Sequence, residues 1–140
     1  MMNNTHFIIE RIEDKNAFIK LCYLEKSFYL EKQEEEWIPM SRLLVDSDEK
    51  QLIYIVEVGQ EWKYIRFPLS VWKSLDEVIA KEQDLFLVLS LTEEGEVHKS
   101  IPLKDFSQEG RELIRNMLNN MNYGEGMSSI IEEEFSETIK

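Results

Sequence analysis

The sequence predicts an α+β domain, with an antiparallel β-meander in the N-terminal half, one helix, a β-hairpin and a C-terminal helical pair. Three observations carry this reading. Before Pro68 the apolar residues fall in short runs rich in Ile, Val, Phe, Tyr and Trp, cut by polar turns, which is how strands read. After Pro68 they recur every three to four residues, as on a helix with one buried stripe. The chain has 140 residues, 43 % of them apolar, enough for one ordinary core. Strands followed by segregated helices make the α+β class.

The first strand is Phe7-Ile8-Ile9-Glu10-Arg11-Ile12, ended by the polar turn Glu13-Asp14-Lys15-Asn16. Phe18 to Leu24 and Phe28-Tyr29-Leu30 continue the strand pattern. Trp37 to Val45 is less regular, because Pro39 lacks a ladder donor and suits an edge or a bulge. Leu52 to Val58 and Trp62 to Phe67 form the clearest hairpin, with Gly59-Gln60 fitting a type II′ turn. Along its second strand Trp62, Tyr64 and Arg66 share one face, and Lys63, Ile65 and Phe67 the other.

Ser70 is the predicted N-cap of a helix through Glu82, whose stripe is Val71, Trp72, Leu75, Val78 and Ile79. Asp84 to Leu91 is apolar enough to be a strand buried on both faces. The turn Thr92-Glu93-Glu94-Gly95 leads it into Glu96 to Ile101. Phe106, Leu113, Ile114, Met117, Leu118 and Met121 mark one closing helix, capped by Ser107; Met127, Ile130, Ile131, Phe135 and Ile139 mark the other. Between them Gly124 suits the positive φ of a helix C-terminus. No linker or repeat divides the chain. Residues 1–140 form one domain, with 1–4 and 138–140 expected to fray.

Lys and Arg number 16 against 28 Asp and Glu, a net charge of −12. Such a surface repels phosphate, which argues against nucleic acid and anionic membranes as partners. No apolar run approaches the roughly 20 residues of a membrane span. The single cysteine, Cys22, and the absence of a basic-then-apolar start predict a cytoplasmic protein.

Chemistry finds few footholds. His6, His98 and Cys22 are not at ligand spacing, so no metal or cofactor is expected. Cys22 lies in the apolar run Ile19-Lys20-Leu21-Cys22-Tyr23, where it reads as a small buried hydrophobe. Glu34-Glu35-Glu36 and Glu132-Glu133-Glu134 read as solvated runs. Asp46-Ser47-Asp48-Glu49 opens like a calcium loop but lacks its glycine and distal glutamate. Gly124-Glu125-Gly126 lacks the Lys-Ser/Thr of a phosphate loop. No catalytic residue is assigned.

The aromatic residues and one polar segment remain. Trp37, Trp62, Tyr64 and Arg66 are of the types enriched at binding hot spots; the alternative is that the aromatics are core. Asn122 and Tyr123 sit in a segment dense in hydrogen-bonding groups, where Tyr123 either contacts a partner or pins the helical pair.

Two segments carry a resemblance. Tyr64-Ile65-Arg66-Phe67-Pro68 with Val71-Trp72, then Asn119-Asn120-Met121-Asn122-Tyr123-Gly124-Glu125-Gly126-Met127, resemble a small family of uncharacterised cytoplasmic proteins from Bacillus-like Gram-positive bacteria. The Asn-Tyr-Gly-Glu element is the most specific part. The resemblance implies lineage and compartment, and it carries over no functional residue.

Three functions compete. The first is a non-catalytic acidic interaction module (adaptor, regulator or subunit) using Trp37, Trp62, Tyr64, Arg66, Asn122 and Tyr123 toward a protein with a basic surface, homodimerisation remaining open. The second is a small-molecule sensor or carrier with Trp37, Tyr54 or Tyr64 lining a pocket. The third is a carboxylate-dependent hydrolase assisted by Tyr123.

Overall fold

Polar turns cut the first half of the chain into β1 (His6–Asp14), β2 (Ile19–Leu24), β3 (Trp37–Asp46), β4 (Gln51–Val58) and β5 (Glu61–Pro68). A 3₁₀ turn at Leu69–Val71 leads into α1 (Trp72–Ala80), followed by β6 (Asp84–Ser90) and β7 (His98–Pro102). α2 (Phe106–Met117), a 3₁₀ turn at Met121–Tyr123 and α3 (Met127–Glu134) complete the fold. The computed structural model describes residues 5–25, 35–92, 94, 97–118, 120–124 and 126–140. The expected strand Phe28-Tyr29-Leu30, residues 1–4 that were expected to fray, and Glu93, Gly95, Glu96, Asn119 and Glu125 lie outside the described residues.

The α+β class holds, but the meander layout does not. The strands form one mixed, curled sheet in the order β3-β4-β5-β1-β2-β6-β7. The β1–β2 hairpin occupies its centre. β5 joins β1 in parallel, with Phe7 opposite Ile65, and β6 joins β2 in parallel, with Cys22 opposite Leu87. The β6–β7 hairpin is therefore part of the same sheet and not a separate unit. Turn residues specify hairpins locally, whereas a parallel join links strands distant in sequence and leaves no local mark.

Local details follow the residues. β3 is an edge strand whose register shifts between Pro39 and Leu43, where Ser41 takes φ 53°. The β4–β5 turn has φ 56° at Gly59 and 68° at Gln60. Two positive values make it type I′ instead of the expected II′. Ser70 does not cap α1, which begins at Trp72 with Val71 before it. Ser107 does not cap α2 either; that place falls to Asp105, with φ 62°. The Ser107 hydroxyl instead bonds the carbonyls of Val78 and Gln83 at 3.1 and 2.9 Å, tying α2 to the end of α1.

The helices join one core with one face of the sheet. Trp72, Leu75, Val78 and Ile79 of α1 pack with Phe106, Ile114 and Met117 of α2 and Met127 and Ile131 of α3. They meet Phe7, Ile9, Cys22, Tyr54, Ile65, Phe67, Leu85 and Leu87 from the strands. α2 lies against β3, and the edge strands β3 and β7 approach each other, so the sheet is a half-barrel. Gly110 permits the close approach of α2. A Cβ there would stand 2.6 Å from Ile79 Cδ1 and 3.6 Å from Leu43 Cδ2.

The expectation of a loose end from residue 138 does not fit Thr138. That residue is buried, and Asp76 of α1 accepts its amide at 2.8 Å, its hydroxyl at 2.7 Å and the Glu137 amide at 3.1 Å.

Candidate functional site

Alternation places every second residue of a strand on the face away from the core. In the wing formed by β3, β4, β5 and β1 the cross-strand partners of that outer face form rows. Ile38, Glu57 and Trp62 make one row. Ile55, Tyr64 and His6 make the next. Leu44, Ile53, Arg66 and Ile8 make the third, and Asp46 with Gln51 ends the face. Ile8, Ile38, Leu44 and Trp62 are exposed, while Ile53 and Ile55 between them are buried.

A polar network fixes one side of this face. Arg66 donates from Nε to His6 Nδ1 at 2.9 Å and from Nη1 to Asp46 Oδ2 at 3.1 Å and Gln51 Oε1 at 2.8 Å. Since His6 accepts at Nδ1, its ring proton sits on Nε2. The His6 ring stacks on Tyr64, with centroids 4.9 Å apart. The Glu49 amide, and after it Arg66, hold the Asp46 carboxyl below the usual carboxylate range. Hydrogen bonds to the charged form favour that form.

Of the six sequence candidates, the structure brings together three. Trp62, Tyr64 and Arg66 share the outer face, as the alternation required. Trp37 belongs elsewhere: it is only 5 % exposed and its ring lies 5.5 Å from that of Phe7 in the core. Asn122 and Tyr123 sit in the connection between α2 and α3. There Asn122 is exposed and Tyr123 packs partly buried against the core. Gly124 takes φ 93°, as expected of a helix-ending glycine. Glu57, Ile38, Leu44 and Ile8 were missed, because a lone aliphatic or acidic residue in a strand carries no signal until its cross-strand partners are known.

Other groups are placed for structure. Cys22 is fully buried, which raises its thiol pKa and suppresses the reactive thiolate. Tyr54, also fully buried, donates its hydroxyl to the Lys104 carbonyl at 2.7 Å and accepts the Ser41 amide at 3.2 Å. Lys20, buried on β2, pairs with Asp14 and with Glu77 at 3.5 Å. Among the described residues no three His, Cys, Asp or Glu side chains converge as a metal site. Among the described residues no helix is long and apolar enough to cross a membrane.

A cleft of about 620 Å³ lies between α2 and the start of β6, lined by Gln83, Phe86, Lys104, Arg111, Glu112 and Arg115 among others. Trp37, Tyr54 and Tyr64, the expected pocket residues, do not line it.

The model of UPF0738, a family of unknown function, matches residues 7–135. A UPF0738 protein of Lysinibacillus sphaericus is 32 % identical over 97 residues, which is 69 % of this chain and 71 % of that protein. One from Bacillus subtilis is 30 % identical over 125 residues, covering 89 % and 97 %. One from Geobacillus is 29 % identical over 128 residues, covering 91 % and 94 %. These sources bear out the expected kinship with Bacillus-like Gram-positive bacteria. No solved structure matches.

Proposed function

The chain belongs to the UPF0738 family, a family of unknown function, so a role must come from its own surface, and we propose that it is a non-catalytic interaction module. Its docking surface is the outer face of the β3–β4–β5–β1 wing, and its partner is a cytoplasmic protein with a basic surface. One observation carries the reading. Among the described residues every helix joins the core on one side of the sheet, and on the other side Ile8, Ile38, Leu44 and Trp62 stay exposed around buried Ile53 and Ile55. Contiguous apolar surface of this kind marks interaction sites. The net charge of −12 disfavours a second copy of the chain as occupant and steers a basic partner toward it.

A benzophenone photo-crosslinker at position 38, 44 or 62, used in cells, tests this. The expected result is a recurrent adduct with a basic protein, lost in Leu44→Asp and absent when the probe replaces Arg115 on α2. Adducts with the chain itself, or equal labelling from position 115, overturn it. The sensor or carrier reading has one supporting observation, the cleft beside α2. Its mixed lining of Lys104, Arg111, Arg115, Glu82, Asp84 and Glu112 favours neither an anion nor a cation, which is why it stands second.

A further inference from the structure

Rings on the outer face of the sheet are not equally provided for. Tyr64 is stacked on His6. In the other wing Tyr23 lies across from Arg11 in the β1–β2 pair, and the Arg11 Cζ stands 4.1 Å from the Tyr23 centroid. That guanidinium is also held by carboxylates, with Nε 3.0 Å from Glu13 Oε2 and Nη1 3.5 Å from Glu10 Oε2. Aromatic ring, guanidinium and carboxylate thus form one unit built within the chain.

The row Ile38–Glu57–Trp62 contains two thirds of the same unit. Glu57 stands directly across the ladder from both Ile38 and Trp62, so the three side chains share a face at cross-strand contact spacing. Trp62 is 44 % exposed and no cation or second ring among the described residues meets it. Glu57 is half-buried beside these apolar neighbours and has no ion pair among the described residues. Arg66, the arginine of β5 on this face, is committed to His6, Asp46 and Gln51.

We infer that the Glu57–Trp62 pair is a receptor for an arginine side chain of the partner, a step that rests on the docking reading above. The guanidinium covers the indole face and pairs with the Glu57 carboxylate, while its aliphatic stem lies over Ile38. Arginine fits better than lysine because its planar fork stacks on a ring and meets a carboxylate at once. The site supplies a specific anchor inside a surface that is otherwise apolar, which fixes the register of docking as well as its charge preference.

The test uses the whole chain labelled with ¹⁵N and the peptides acetyl-Gly-Arg-Gly-amide, acetyl-Gly-Lys-Gly-amide and acetyl-Gly-Ala-Gly-amide. The indole N–H of Trp62, assigned by its loss in Trp62→Phe, is followed on titration. It is expected to move with the arginine peptide, at least threefold less for lysine at equal concentration, and not with alanine. Glu57→Gln should weaken the arginine response at least fivefold, while Glu49→Gln changes it less than twofold. An unmoved indole, an equal response in Glu57→Gln, or an equal response to alanine or lysine overturns the inference. If cross-links from positions 38 and 44 persist in that event, the cation site alone falls. If they too are absent, the docking reading falls with it.

Discussion

The two faces of the half-barrel are built from the same strands and have opposite fates. β4 shows this within one segment. Leu52, Tyr54, Val56 and Val58 enter the helix-covered core, and Ile53 and Ile55 point the other way, yet all six are buried. A strand apolar on both sides ordinarily implies helices on both sides. Among the described residues they stand on one, and the second apolar set is left among Ile8, Ile38, Leu44 and Trp62 at the surface. On the covered face an aromatic residue stabilises the fold. On the open face the same residue type is expected to leave stability nearly untouched.

The largest loss is expected from truncating one ring at the centre of the core. Phe106 is buried, with Phe67 at 5.3 Å and Tyr54 at 6.0 Å between ring centroids. Phe106→Ala should cost about 3–5 kcal/mol in urea unfolding. A cost below 1 kcal/mol would mean that α2 does not close the core.

A smaller effect is expected at the seam between helices. Gly110→Ala places a methyl group inside the packing distance of Ile79. Overpacking costs about 1–3 kcal/mol, against roughly 1 kcal/mol gained in helix propensity. The net change should be a loss of about 1 kcal/mol, and the double variant Gly110→Ala/Ile79→Val should recover part of it. Stabilisation by the single change would show that Ile79 has room to turn away.

Tyr54 gives a pH signature belonging to the covered face alone. Its burial pushes the phenol from 10.0 up to about 12. A folded pKa above the unfolded value means stability that is fully present below pH 10 and lost as pH rises toward 12. Tyr54→Phe should flatten that alkaline decline in chemical-denaturation midpoints, whatever it costs at neutral pH by leaving the Lys104 carbonyl and Ser41 amide unpaired. An unchanged decline would refute the assignment.

The smallest change is expected on the open face. Trp62→Ala should alter stability by no more than about 0.5 kcal/mol, as for surface positions in general. A loss as large as that of Phe106→Ala would show that the outer face is a second core, and the contrast between the two would collapse.

How much of this was legible in the sequence follows from the range of each signal. The strands around Ile9, Cys22, Ile55 and Ile65 and the stripe Trp72–Leu75–Ile79 were readable because burial imposes a period on neighbouring residues. Pro39 announced an edge or bulge, and the edge is where β3 lies. The sheet order was not readable. The joins of Phe7 to Ile65 and Cys22 to Leu87 depend on strands that no turn connects. The candidate surface was legible to the same extent. Trp62, Tyr64 and Arg66 share a strand, so alternation alone united them. Glu57 and Ile38 join them only through neighbouring strands. In the sequence Trp37 stays between core and interface because tryptophan chemistry is the same in both; the core assignment comes from Phe7 packing beside it.

The central position of the first hairpin has a consequence for how the protein is made. Synthesis proceeds from the N-terminus, so β1 and β2 leave the ribosome long before either of their parallel neighbours exists. Both flanks of that hairpin stay unpaired until β5 arrives on one side, and on the other until the chain has been made through Ser90. An isolated two-stranded ribbon is marginal in water, and pairing between distant strands is slow to form. Nascent chains of this protein therefore carry two open strand edges until β5 is made, and one until β6 follows. The acidic and basic residues that line β1, from Glu10 and Arg11 to Glu13 and Asp14, are placed where they discourage those edges from pairing with another chain in the meantime.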